Sequence, residues 1–166
     1  MPLRSDWSTR PCTIARGIDV VGDPWVLLIL REAFAGARRF EEFASRTGIT
    51  DKALSARLRT MVESGLLERS TAGDGARPRA EYRLTESGAA TLPILHAFAL
   101  WADEHGPEPR PGRLGINCVA CGARAEAADV CVSCGRRLTP DNVRWTRPGE
   151  WDGAQVELVG AATPAG

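Results

Sequence analysis

The sequence predicts a mainly helical α+β fold: a helical unit with a two-stranded hairpin, then a small module built on four cysteines. Three patterns carry that reading. Apolar residues recur at helical spacing in successive segments up to Ser64, two short strand-like runs flank a turn-rich stretch at 71–80, and two CxxC pairs follow a proline-rich segment.

Pro11 stands where a first helix would start, with Ile14, Ile18 and Val21 along it, and Gly22-Asp23-Pro24 supplies a stop, an N-cap and a first-turn proline. The second helix, 24–35, is apolar on nearly every side and suits a central buried position, and Gly36 ends it. A short helix at 40–46 turns Phe40, Phe43 and Ala44 inward. The Thr47-Gly48-Ile49 turn then leads to Thr50, the N-cap of a helix over 51–64. In that helix Leu54, Leu58, Met61 and Val62 form one face and Lys52, Ala56, Arg59 and Glu63 the other.

Gly65 closes the helix, 66–70 reads as a strand and 81–85 as its partner. The connection holds Gly73, Asp74, Gly75 and Pro78, with Arg77 and Arg79 near its tip. Thr85 caps a long helix running to about His105; Pro93 should kink it, the alternative being a break with a new start near Leu92. One stripe, Leu92, Leu95, Ala99 and Ala102, serves the core. A second, Ile94, Phe98 and Trp101, exceeds what one small domain covers and points to a dimer. The boundaries expected are a helical unit over 1–106, a proline-rich linker over 107–116, a cysteine module over 117–147 and a flexible tail over 148–166.

The 166 residues, 43% of them hydrophobic, suffice for one medium domain plus an appendage. No apolar run approaches the roughly 20 residues of a membrane span, and the first ten lack a signal-peptide apolar stretch, so a soluble cytoplasmic protein is expected. Formal net charge is zero, but 38–83 carries 10 basic and 7 acidic residues, whereas 84–110 carries 1 and 4. Helix, strand, basic turn, strand and helix start in that order describe a winged helix-turn-helix, and the expected partner is double-stranded DNA. Lys52, Ser55 and Arg59 project from the N-terminal and outer face of the reading helix. Arg57, nearer the packing side, is expected on phosphate, with Arg77 and Arg79 of the wing on the backbone.

Cys118, Cys121, Cys131 and Cys134 form two CxxC pairs nine residues apart, with Gly122 and Gly135 directly after them. That spacing suits a closed four-thiolate structural zinc ribbon holding one Zn2+ per chain; disulfides, a redox dithiol and an iron–sulfur cluster are the alternatives. Cys12 stands apart and reads as a small packing residue or as a redox-sensing thiol in an electropositive setting beside Arg10 and Arg16. His96 and His105 read as a surface or interface residue and a helix C-terminal cap. No nucleophile, base and orienting group occur together and no phosphate-binding glycine loop is present, so an enzyme is not expected. A protein-interaction module, or a CxxC thiol redox protein, are the competing functions.

From Cys12 to about Asp103 the chain resembles the HxlR-type branch of the MarR-like winged-helix regulators. The stretches that carry the resemblance are Cys12-Thr13-Ile14-Ala15-Arg16, Val21-Gly22-Asp23-Pro24-Trp25, Leu28-Ile29-Leu30-Arg31 and Arg39-Phe40-Glu41-Glu42-Phe43. They continue with Ile49-Thr50, Leu54-Ser55-Ala56-Arg57-Leu58, Gly65-Leu66-Leu67-Glu68-Arg69 and Glu81-Tyr82-Arg83-Leu84-Thr85-Glu86-Ser87-Gly88. The resemblance implies a cytoplasmic homodimer on palindromic operators, joined through its first and last helices. Ile14 and Ile18 would then meet Ile94, Phe98 and Trp101. It also places Cys12 where some members keep a cysteine that senses electrophiles or oxidants.

Overall fold

In the computed structural model, which describes residues 7, 9, 11–72, 79–107, 113–146 and 155–161, the order of elements is α1 (Thr13–Val21), α2 (Pro24–Phe34), α3 (Phe40–Thr47), α4 (Asp51–Glu63), β1 (Leu67–Ala72), β2 (Arg79–Leu84), α5 (Glu86–Ala89), α6 (Leu92–His105), β3 (Gly115–Cys118), a 3-10 turn (Pro140–Asn142), β4 (Val143–Thr146) and β5 (Gln155–Glu157). Local chemistry sets most boundaries. The Asp23 carboxylate accepts the Trp25 N–H at 2.9 Å and the Val26 N–H at 3.4 Å, and Pro24 follows in the first turn, where no N–H is needed. Thr50 caps α4 through the Ala53 N–H, and Thr85 caps α5 through the Gly88 N–H. Gly48, with φ 70°, ends α3 in the left-handed region and makes the tight turn into α4.

α2 runs through the core, burying Val26, Ile29, Leu30, Ala33 and Phe34 against Phe43 of α3 and Leu54, Leu58 and Met61 of α4. Each fully buried side chain of this size stabilises the fold by about 1.5–3 kcal/mol relative to exposure. β1 and β2 pair antiparallel, Leu67 opposite Leu84 and Ala72 opposite Arg79. The segment before α3 adds a short third edge: Arg39 bridges Glu81, and the Tyr82 N–H donates to the Arg38 carbonyl at 2.8 Å.

The continuous kinked helix expected after Thr85 is not found. Helical structure breaks at Ala90–Thr91 and restarts as α6 at Leu92. Pro93 has no N–H to continue an i to i−4 ladder, and in the first turn of a new helix that loss costs nothing.

Antiparallel β3-β4-β5 form the second sheet. Ile116, Val143 and Trp145 point from it into the same buried cluster as α2. Trp145 meets the rings of Phe34 and His96 edge-on, with centroids 6.1 and 5.9 Å away. His96 is therefore not a surface or interface residue but a fully buried one, its Nδ1 bonded to the Ala128 carbonyl at 2.9 Å. Two expected boundaries move with this sheet. Gly115, placed in the linker, begins β3, and residues 155–157, placed in a flexible tail, pair with β4. The Val159 N–H then donates to the Phe34 carbonyl at 2.8 Å, and Leu158 is buried. The cysteine module and its C-terminal strand thus pack directly on α2 and α6.

Candidate nucleic-acid interface and thiolate centre

With Leu54, Leu58 and Met61 fully buried, the 3.6-residue period turns Lys52, Ser55 and Arg59 to the opposite face of α4, and all three are exposed. Arg57 is placed differently. Its Nε donates to Asp23 Oδ2 at 2.8 Å, each side chain about a third exposed at 34% and 31%. Asp23 thus caps α2 through one oxygen and holds α4 through the other, and Arg57 ties α4 to the start of α2.

At the wing Arg79 is exposed opposite the last residue of β1, while Arg77 and the turn residues Gly73, Asp74, Gly75 and Pro78 lie outside the described residues. Arg69, exposed on β1 opposite Tyr82, adds a basic side chain that the sequence reading did not single out. Strand alternation was the signal available for it. Glu81 faces Arg39 at 3.8 Å and Arg83 at 3.1 Å, tying the wing root to the start of α3. There Glu42 accepts the Arg38 and Arg39 N–H groups at 2.7 and 2.9 Å. The Arg38 N–H, acting against desolvation and helped by Arg39 and Arg46, holds the Glu42 carboxyl below its usual value.

The sulfur atoms of Cys118, Cys121, Cys131 and Cys134 all lie within 4.8 Å of one another. Two knuckles present them. In each the glycine after the second cysteine adopts a left-handed φ, 73° at Gly122 and 72° at Gly135, and its N–H returns to the carbonyl of the first cysteine. Cys118 and Cys134 approach to 3.8 Å, Cys121 and Cys131 to 3.6 Å. A bonded pair would lie near 2.05 Å, whereas thiolates tetrahedral about zinc at about 2.3 Å are about 3.8 Å apart. The donor set therefore fits a closed four-sulfur metal site.

The electrostatics agree. The N–H groups of Cys134 and Ser133 bring the Cys131 thiol down to about 7. The Ala123 N–H acts the same way on Cys121, but the crowding of three other sulfurs wins and pushes it up to about 12. Holding all four sulfurs as thiolates at this spacing would require a cation. Cys12 is outside the cluster: it is the exposed N-cap residue of α1. α1 buries none of its residues, and Ile14 is 72% exposed, as Trp101 of α6 is 61%; Ile18, Ile94 and Phe98 are exposed as well.

The chain is similar to known proteins. The model of the HxlR-like helix-turn-helix family matches residues 20–110. An uncharacterised HTH-type transcriptional regulator of Mycobacterium tuberculosis is 39% identical over 131 residues, covering 79% of this chain and 82% of the relative. An HTH-type regulator of Methanothermobacter thermautotrophicus is 34% identical over 96 residues, 57% of this chain and 72% of its own. Among solved structures, PA1607, described as a candidate transcription factor, superposes with a TM-score of 0.68 at 33% identity, covering 81% of this chain and 94% of that one. The redox regulator HypR in its reduced form gives 0.52 at 28% identity, over 56% and 92% of the two chains. A winged unit with an outward basic helix, matched over this span, places the chain in the HxlR-like helix-turn-helix family of DNA-binding transcriptional regulators, which are not enzymes.

Proposed function

We propose that the protein acts as a homodimer on palindromic operators in the cytoplasm. The observation that carries this reading is the outward stripe of Lys52, Ser55 and Arg59 on a helix whose other face is fully buried. Arg59 and Lys52 would read base edges, Ser55 would add a hydroxyl, and Arg77, Arg79 and Arg69 would neutralise phosphates. Arg57 acts behind them, fixing α4 on Asp23. The dimer reading is supported by the uncovered apolar side chains of α1 and α6, Ile14, Ile18, Ile94, Phe98 and Trp101.

Zn2+ is the ion that best suits four thiolates with no open position, one per chain, in a structural role. A redox input through Cys12 is a second reading, favoured by its exposed position on the helix assigned to the dimer contact.

Footprinting on the protein's own upstream region, with light scattering of the free protein, tests the reading. Two protected half-sites about 34 Å apart or a multiple of that, and a dimer at micromolar concentration, are the expected results. A monomer bound to a single site overturns it.

A further inference from the structure

Beside the wing root lies a cavity of about 210 Å³ that neither operator reading nor the thiolate centre uses. Ala33 of α2 and Leu84 of β2 supply apolar wall, Val159 of the C-terminal segment closes one side, and Arg38, Tyr82 and Arg83 complete the lining. Two guanidinium groups in it keep donors that no acceptor among the described residues takes up. The Arg83 Nη2 reaches Glu81 at 3.1 Å, but its Nε is buried with no acceptor. The Arg38 backbone is engaged on both sides, by Glu42 and by the Tyr82 N–H, while its guanidinium enters no ion pair among the described residues. A buried donor without an acceptor is costly, and a guanidinium is the donor best matched to a carboxylate.

We propose that this cavity binds a small organic anion, a carboxylate on a single-ring apolar body. The carboxylate would take the Arg83 Nε and the Arg38 guanidinium, and the ring would lie against Ala33, Leu84 and Val159. The size is sufficient, since an apolar cavity of about 150 Å³ takes up benzene. The charge sign follows from two arginines, of which Glu81 engages only one. The position also matters: the anion would sit between β2, which carries the wing, and the segment anchored by the Val159 N–H on Phe34.

Isothermal titration of the full chain with benzoate, benzyl alcohol and inorganic phosphate at matched ionic strength tests the site without any operator. Benzoate should bind saturably below about 1 mM, with the alcohol and phosphate at least about tenfold weaker. Arg38→Gln should weaken benzoate about tenfold. Val159→Phe, which keeps its backbone bond and fills the cavity, should abolish binding. Absence of benzoate binding up to about 10 mM, equal binding of the alcohol or of phosphate, or unchanged benzoate affinity in Arg38→Gln overturns the proposal. Arg38→Gln decides alone if Val159→Phe proves too unstable to measure.

Discussion

Trp145 donates its indole N–H to Nε2 of His96 at 3.1 Å, and both rings are fully buried. An indole nitrogen only donates, so His96 must be neutral with its proton on Nδ1, where it donates to Ala128. Both contacts come from the cysteine module and both end on one side chain of α6. The module and the helix carrying the exposed apolar stripe are thereby one mechanical unit.

Trp145→Phe should keep most of the packing on Phe34 but orphan the His96 Nε2, costing about 1–3 kcal/mol. Trp145→Ala should cost about 3–5 kcal/mol. Denaturant unfolding followed by far-UV dichroism measures this, because the loss must appear in the helical signal. An unchanged helical midpoint would mean that module and helices are uncoupled.

Burial lowers the His96 pKa below 6.5, the Ala128 carbonyl opposing only in part. The unfolded chain then takes up the proton first. The stability from neutral His96 is complete above about 6.5 and is lost as pH falls below it toward the lower folded value. Melting temperature should drop as pH falls below about 6.5, with a shallower slope in His96→Gln, which preserves one donor and one acceptor. Identical slopes would assign the acid sensitivity to the thiolates.

Metal analysis should return one zinc per chain, and Cys121→Ser should release it. Because Cys118 and Cys131 lie in the same buried cluster as Ile116 and Trp145, the loss should reach the helices. Chelation should lower their melting by more than about 5 °C, at about 2–4 °C per kcal/mol for a chain of this size. A helical transition indifferent to chelator counts against that coupling.

Arg57→Ala and Arg59→Ala should separate cleanly in operator binding. Arg59→Ala should lose about 1–3 kcal/mol on the operator and relax preference at one base pair. Arg57→Ala removes a pair about one-third exposed, so stability should change by about 0.2–1 kcal/mol and the salt slope should stay. A flattened salt slope in Arg57→Ala would restore it to the phosphate contacts.

At Gly88 a Cβ would overlap the Leu66 carbonyl oxygen, which belongs to backbone and cannot swing aside. Gly88→Ala should therefore destabilise by about 3 kcal/mol, read by urea unfolding. A neutral result would show that α5 shifts without penalty.

The parts of this fold legible in the sequence were those written in local chemistry. Asp23 and Thr50 cap the helices they were expected to cap, Thr85 caps the short α5 where a long helix was expected, and the Gly122 and Gly135 knuckles draw four sulfurs together. Contacts between distant segments left no such mark. Nothing near His96 in the chain indicates burial, because its partners Ala128 and Trp145 lie 32 and 49 positions later, in the cysteine module. The ion pair of Arg57 is with Asp23, 34 positions earlier, a contact that periodicity alone does not reveal. At Pro93 a kink was expected and a break was found, since a proline fits a kink and a first turn equally.

The late position of Trp145 imposes an order on the protein's synthesis. At about 5–20 residues per second, the ribosome needs about 2–10 seconds to add the 49 positions between His96 and its indole partner. Throughout that interval the reading helix and the wing already exist as polypeptide, while the face holding Phe34 and His96 is still bare. A chain cut short before β4 would keep the residues proposed to read DNA yet display that uncovered face. Such a fragment would advertise its own incompleteness to chaperones and proteases before it could compete for an operator.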